Sequence, residues 1–303
     1  MVQGSWLPAN TNQAFAVVRP SRRSEVDPRY LLWVLRSDAI RARIAEINVQ
    51  AAQANLSLEQ VGDFELQVRE PEEQRSIADI LDHADALVAA LERLISKKEA
   101  VRRGLMQELL TGTTRLPGYT DEWSSKRVPE LVGRISTRPF KLTTSQYGTT
   151  GRVPIVDQGQ RLVAGYASDG ARSLSVGTRG VIVFGDHTCI VKFVDFDFAV
   201  GADGTQVLQA KPGNNARFLA YALQYRQIKS TGYNRHYRIL NELEFHVPSE
   251  NEQEAIASVI ADVDAGITSL KSKRSKCEAI KRGMMQELLS GRTRLPVREA
   301  VAA

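Results

Sequence analysis

Apolar residues recur at three- and four-residue steps through one stretch of this 303-residue chain, at Ile77, Ile80, Leu81, Ala84, Val88, Leu91, Ile95, Val101, Leu105 and Leu109. That spacing is the period of one helical face. No proline falls between Glu72 and Thr111, so the pattern predicts a single helix of about 38 residues, roughly 57 Å long at 1.5 Å per residue. Acids (Glu72, Glu73, Asp79, Asp82, Asp85) crowd its first turns and bases (Lys97, Lys98, Arg102, Arg103) its later ones, which suits the helix dipole. Gly112 and then Leu116-Pro117 supply a stop signal.

The same stripe returns at Ile256, Ile260, Val263, Ile267, Leu270, Cys277, Ile280, Met284 and Leu288, ending at Gly291 and Leu295-Pro296. Aligned without a gap at an offset of 179, Glu73–Pro117 and Glu252–Pro296 share 23 of 45 residues. Two amphipathic helices that merely share a composition would not agree so far, so the segment is duplicated. An offset this long, with room for two copies, describes a two-unit protein and not a solenoid of short repeats. Each helix must bury its apolar face, and pairing with the other is the economical solution. The intervening domain lets the chain return, which predicts an antiparallel coiled coil with pseudo-twofold symmetry.

Residues 118–250 lose the helical period. VPELVGRI reads as a short helix or turn, and RGVIVFG, CIVKFVDFDFAV and TQVLQA are β-rich runs broken by Gly, Asp and Asn. Asn215–Lys229 reads as a helix and LEFHVP as a final strand, so this is a mixed α+β domain. Residues 1–70 match only its last part: NTNQAFAVVRP aligns with GADGTQVLQAKP, DPRYLLWVLRSDAIR with NARFLAYALQYRQIK, and GDFELQVREPEEQ with NELEFHVPSENEQ. Counterparts of residues 124–200 are missing. The expected layout is 1–70 as the C-terminal part of a first domain, 71–117 as the first long helix, 118–250 as a complete domain, 251–297 as the second helix and 298–303 as a disordered tail.

Charge sharpens this picture. Residues 124–248 hold 16 Lys and Arg against 9 Asp and Glu, while the rest of the chain is slightly acidic. Two distant cysteines, Cys189 and Cys277, form no CxxC, so neither a disulfide framework nor a cysteine zinc site is implied and a reducing, cytoplasmic setting is expected. The N-terminal residues lack the charged-then-apolar pattern of a signal peptide, and no run approaches the 18 apolar residues of a membrane span. Four histidines, none at ligand spacing, argue against a metal.

From Gly204 to Asn241 there is no acid, and Lys211, Arg217, Arg226, Lys229, Arg235 and Arg238 alternate with Phe218, Tyr221, Tyr225, Tyr233 and Tyr237. Bases interleaved with aromatics fit a polyanion. Phe218, Tyr221 and Tyr225 also fit the buried face of a helix, whereas GYNRHYR, Gly232–Arg238, is poor core material and reads as a functional loop. Gln158-Gly159-Gln160-Arg161 after VPIVD is a second candidate, since Gln can pair with adenine and Arg with guanine; a solvated turn fits it equally. Asp186-His187-Thr188 is a third, beside a plain structural Asp–His hydrogen bond. Gly104 and Gly283, inside both helices, each cost about 1 kcal/mol relative to Ala and point to close approach by a partner helix or protein, with fraying near the helix end as the bland alternative. There is no GxxxxGK(S/T), (N/D)PP(Y/F), GxSxG or HExxH sequence, and isolated carboxylates such as Asp157 and Asp186 make no acid–base set.

The duplicated helices, the Glu-Gln that opens each, the LLTGTTRLP and LLSGRTRLP exits and the basic domain between them resemble the specificity subunit of type I restriction–modification enzymes, over nearly the whole chain. The resemblance implies an α+β fold of target-recognition domains joined by an antiparallel coiled coil. It also implies a non-enzymatic DNA-binding role, and partner methyltransferase and restriction subunits that use S-adenosylmethionine, ATP and Mg while this chain carries no cofactor. Matching segments VPIVDQGQ, VIVFGDHT, VKFVDFDFAVGADGT and GYNRHYR make Gln158, Gln160, Arg161, His187, Thr188, Tyr233, Arg235, His236, Tyr237 and Arg238 the DNA-facing candidates. Gly104, Met106, Leu109, Gly283, Met285 and Leu288 are the helix or subunit interface candidates. The N-terminus departs from the family by lacking about half of one recognition domain. Completion by a separate polypeptide, self-association and an inactive remnant all fit that departure. A coiled-coil assembly protein whose basic domain binds an acidic protein is the alternative from another class.

Overall fold

The computed structural model describes residues 15–21, 25–49, 56–201, 203–229 and 234–296. Contacts divide the chain into one compact unit of residues 1–96 and 268–303 and a second of residues 97–267. In chain order the first unit holds α1 (Pro28–Leu35), α2 (Asp38–Val49), α3 (Leu58–Gly62) and the start of α4 (Pro71–Thr111). The second holds the end of α4, then β1 (Ser124–Arg127), α5 (Val128–Leu131), β2 (Val132–Arg134), β3 (Lys141–Leu142), β4 (Val153–Val156) and β5 (Gly165–Ala167). It continues with β6 (Val181–Gly185), β7 (Val191–Val194), β8 (Ala199–Gly201), β9 (Thr205–Ala210), α6 (Ala216–Arg226), α7 (Tyr237–Glu242), β10 (Glu244–Val247) and the start of α8 (Glu250–Ser290). The end of α8 returns to the first unit.

Both long helices run 41 residues, slightly beyond the periodic stripe, because Pro71 fits the first helical turn of α4 and the glycines at φ +72° (Gly112) and +75° (Gly291) follow the last turns. Four ion pairs align them. In the second unit Arg115 grips Glu252 with both arms at 2.6 Å, and Arg102 pairs with Asp264. In the first unit the residues 179 positions away form the same pairs: Arg294 grips Glu73 at 2.8 and 2.7 Å, and Lys281 meets Asp85 at 2.5 Å. Within the first unit one partner rises from 73 to 85 as the other falls from 294 to 281, and within the second one rises from 102 to 115 as the other falls from 264 to 252, so in each unit the α4 and α8 segments run antiparallel. Ile77, Ala78 and Leu81 pack with Leu288 and Leu289 in one unit, and Ile256, Ala257 and Ile260 with Met106, Leu109 and Leu110 in the other.

The duplicated Glu-Gln has a physical reason. Glu73 and Glu252 are almost wholly buried and are each neutralised by the arginine of the other copy's TRLP exit. Gln74 accepts from the Asp27 amide at 2.8 Å and donates to the Arg69 carbonyl at 2.7 Å; Gln253 does the same with Asn215 at 2.8 Å and Pro248 at 2.9 Å. Asp27 and Asn215 are the N-caps of α1 and α6, so each glutamine ties a short helix to a long one.

In the second unit β2-β9-β6-β7 form an antiparallel sheet, β3-β8-β4-β5 a mixed one, and β1 pairs with β10 alone. The helix α6 packs over β6 and β7, burying Phe218, Leu219, Tyr221 and Leu223 with Ile182 and Phe184. Tyr225, one turn beyond Tyr221, is 41% exposed and lies outside that buried face. In the first unit neither residues 15–21 nor residues 64–70 form a strand, although they align with β9 and β10. Among the described residues no strand lies beside either segment, and an extended segment without a partner has no ladder to join. Among the described residues no helix is long and apolar enough to cross a membrane.

Gly104 and Gly283 do not mark a close helix crossing: a Cβ at either would meet nothing within 4 Å. Of the other interface candidates, Met106, Leu109 and Leu288 are buried and Met285 is half-buried against the first unit's core.

Candidate nucleic-acid interface

Three of the sequence-predicted segments meet in the second unit at the end of β6. The Gln158 Oε1 accepts from the His187 amide at 3.2 Å, and the Thr188 hydroxyl donates to the Gln158 carbonyl at 2.7 Å. The His187 ring Nδ1 lies 3.2 Å from the Asn234 carbonyl, which brings in the loop before α7. Gly204, at φ +86°, permits this closeness, since a Cβ there would stand 2.6 Å from the His187 ring and 3.0 Å from the Gln158 amide nitrogen.

Asp186 is the hub. It is 2% exposed, and its carboxylate accepts from the Tyr237 amide at 2.7 Å and from Gln206 Nε2 at 3.4 Å. Its carbonyl takes the His236 amide at 2.8 Å, with the His236 Nδ1 also 2.8 Å away. Asp186 therefore caps α7 and does not pair with the neighbouring His187 ring, as the Asp–His alternative had it.

Lys192 plays the matching part for the 157–161 loop. Its side chain is 6% exposed, and its ammonium donates to the Asp157 carbonyl at 2.8 Å and to the Arg161 carbonyl and lies 3.7 Å from the Asp157 carboxylate. Burial pushes its pKa below the ordinary lysine range, partly offset by Asp157. Gly159 donates to the same Asp157 at 2.8 Å, closing the turn. The sequence carried a signal for Lys192: it shares the inward phase of Val194 in the alternating IVKFV, and a lysine on a buried face must find acceptors.

The candidates fall into two groups. Gln160, Arg161, Thr188, Arg235 and Arg238 are exposed, Arg238 with Glu242 at 3.5 Å. His187 and Tyr237 are half-buried, the Tyr237 ring lying 5.6 Å from the Arg134 guanidinium. His236 is fully buried, so its expected DNA-facing position is corrected to a support of α7. Gln158 spends both ends of its amide inside the protein, the second on the Asp203 carbonyl at 2.9 Å, which leaves no bidentate edge for a base. Tyr233 lies outside the described residues. No group of three or more His, Cys, Asp or Glu placed to hold a metal occurs among the described residues.

Residues 155–279 match the type I restriction modification DNA specificity domain, a span that contains all three converging segments. Over 92% of this chain and 71% of the relative, the sequence is 22% identical to a protein of Methanocaldococcus jannaschii assigned as the type I restriction enzyme MjaX specificity subunit. The fold is similar to the crystal structure of the type I restriction-modification S subunit from M. genitalium, with a TM-score of 0.64 at 16% identity over 88% of this chain and 73% of that one. A chain from a structure of type I system assembly and conformational transition matches at a TM-score of 0.51 and 16% identity over 87% and 71%.

Proposed function

From the match of residues 155–279 to the type I restriction modification DNA specificity domain and the similarity to a specificity subunit, we propose that the chain is a non-catalytic specificity subunit of a type I restriction–modification system and reads DNA sequence through the second unit. In this reading it positions methyltransferase and restriction subunits on the target in the cytoplasm, the partners bringing S-adenosylmethionine, ATP and Mg. The observation that carries the reading is the convergence at the end of β6. Two buried hubs, Asp186 and Lys192, hold loops whose outward residues are Gln160, Arg161, Thr188, Arg235 and Arg238. Buried groups that fix exposed donors suit base readout, because a contact held in place by its support loses less entropy on binding.

The test is selection of bound duplexes from a randomised pool by this chain co-purified with its methyltransferase subunit. An enriched short sequence lost in Arg161→Ala or Arg235→Ala, with the fold intact, supports the reading. A pool that stays random removes it, and unchanged selectivity in both variants removes the rim. His236→Ala serves as a contrast: a buried support should damage α7 and stability together with binding. Log affinity should fall steeply with log salt if phosphates supply much of the binding.

A further inference from the structure

Four stretches of the second unit meet at the end of β6: residues 157–161, residues 186–188, the turn at 203–204 and the loop before α7. Among the described residues these stretches carry three carboxylates, and two of them are turned inward. Asp157 closes its own turn with the Gly159 amide and faces the Lys192 ammonium, while Asp186 is 2% exposed and caps α7. The third, Asp203, has a side chain that is 95% exposed.

Exposed as it is, Asp203 stands on a fixed backbone. Its carbonyl accepts from Gln158 Nε2 at 2.9 Å, and the oxygen of that same Gln158 amide takes the His187 amide. The next residue, Gly204, gives its carbonyl to the Asp186 amide at 2.7 Å. Before the turn, β8 ends at Gly201, packed so closely that a Cβ there would lie 2.8 Å from the Asp157 Cβ and collide with the Tyr147 hydroxyl. The carboxylate takes no part in this clamping. An aspartate in a turn ordinarily bonds a backbone amide two residues on, but here the side chain meets the Lys141 ammonium at 3.4 Å instead. Turn geometry therefore leaves the Asp203 carboxylate unexplained.

An acid on a basic face costs binding energy wherever it approaches phosphates, because like charges repel. Lys141, itself 38% exposed, offsets part of that repulsion. An ionised carboxylate can only accept hydrogen bonds. In the major groove cytosine presents a lone amino donor, adenine sets its amino donor beside the N7 acceptor, guanine presents two acceptors, and thymine an acceptor and a methyl group. An acceptor-only side chain matches the first of these edges and meets an acceptor on each of the others. We propose that Asp203 is a specificity-determining residue that accepts a hydrogen bond from the N4 amino group of a cytosine, with Lys141 screening its charge from the phosphates. The assignment rests on the DNA-reading role proposed above and adds to it which turn reads and which base it requires.

The experiment selects bound duplexes from a randomised pool with the full chain co-purified with its methyltransferase subunit, in parallel for wild type, Asp203→Ala and Asp203→Asn, and measures urea midpoints for all three. Wild type is expected to enrich a sequence with a required cytosine at one position. Asp203→Ala should lose roughly tenfold in discrimination at that position alone, with the other positions and the urea midpoint unchanged. Asp203→Asn should move the preference there towards adenine, because an asparagine amide matches the adenine N6 and N7 together. The same enriched sequence from all three proteins overturns the assignment while leaving the DNA-reading role intact. So does an Asp203→Ala protein that binds every duplex more tightly by one factor, which would make the acid a source of repulsion only. Loss at every position with a lowered urea midpoint also overturns it, since Asp203 would then be a support of the turn. A wild-type pool that stays random removes the DNA-reading role, and the assignment falls with it.

Discussion

The first and second units share a helical grammar and differ in what rests upon it. In both, a capped short helix is tied by a glutamine to the start of a long one, and a buried glutamate is closed by an arginine from the opposite copy. In the second unit the short helix α6 also carries a sheet and is buried from Phe218 through Leu223; in the first, Leu32 and Leu35 of α1 are only half-buried at the matching positions. The framework therefore assembles through helix contacts and buried charge pairs, and the sheet is an added layer with its own packing. The aromatic anchors stand at aligned positions but use different acids: Trp33 donates to Asp82 at 2.8 Å, whereas Tyr221 donates to Asp264, the counterpart of Asp85, at 3.0 Å.

The equivalence can be broken at the core first. Leu81→Ala and Ile260→Ala, both at fully buried aligned positions, should each cost about 2–5 kcal/mol in urea unfolding. A large cost at one and none at the other would show that the long helices do not share one packing role.

Charge pairs sharpen the comparison next. Asp264 receives Arg102 and the Tyr221 hydroxyl, and burial, with Asp264 adding to it, pushes the Tyr221 pKa well above the ordinary tyrosine range. Tyr221→Phe should cost about 1 kcal/mol at neutral pH, read as a shift of the urea midpoint. No shift would mean that the hydroxyl bond contributes nothing.

The exposed rim should behave oppositely. Arg161→Ala and Arg235→Ala are expected to change stability by less than about 0.5 kcal/mol. Either one should reduce discrimination between target and non-target duplex by about 1–3 kcal/mol if it reads a base, or lower the salt slope by about 1 if it meets a phosphate. Fluorescence anisotropy over a salt series separates the two. A variant unaffected on both counts lies outside the contact surface.

The smallest effect concerns Lys192. Its folded pKa lies below its unfolded value, so below both the cost of burying the charge is fully present. As pH rises through the folded value towards the unfolded one, the unfolded chain holds more protons and stability increases. Lys192→Met should flatten that alkaline rise in Tm measured against pH, and an unchanged profile would show that another group produces it.

The helices, the duplication, the antiparallel pairing and the main strands were legible along the chain because each rests on a local period or on comparison of one segment with another. Ile77 to Leu109 and Ile256 to Leu288 declare a buried face wherever they occur. Basic, acid-poor loops announced the region of the candidate interface in the same way. Which of those residues face outward was decided only in three dimensions. Gln158 and His236 look like readers in sequence, but hydrogen-bond partners 29 and 50 residues away turn them inward. Lys192 looks like one charge among many until carbonyls 31 and 35 residues away close around it. The reason is physical: periodicity follows from the backbone's own geometry, whereas the orientation of a polar side chain depends on donors and acceptors that folding alone brings within 3 Å or so of it.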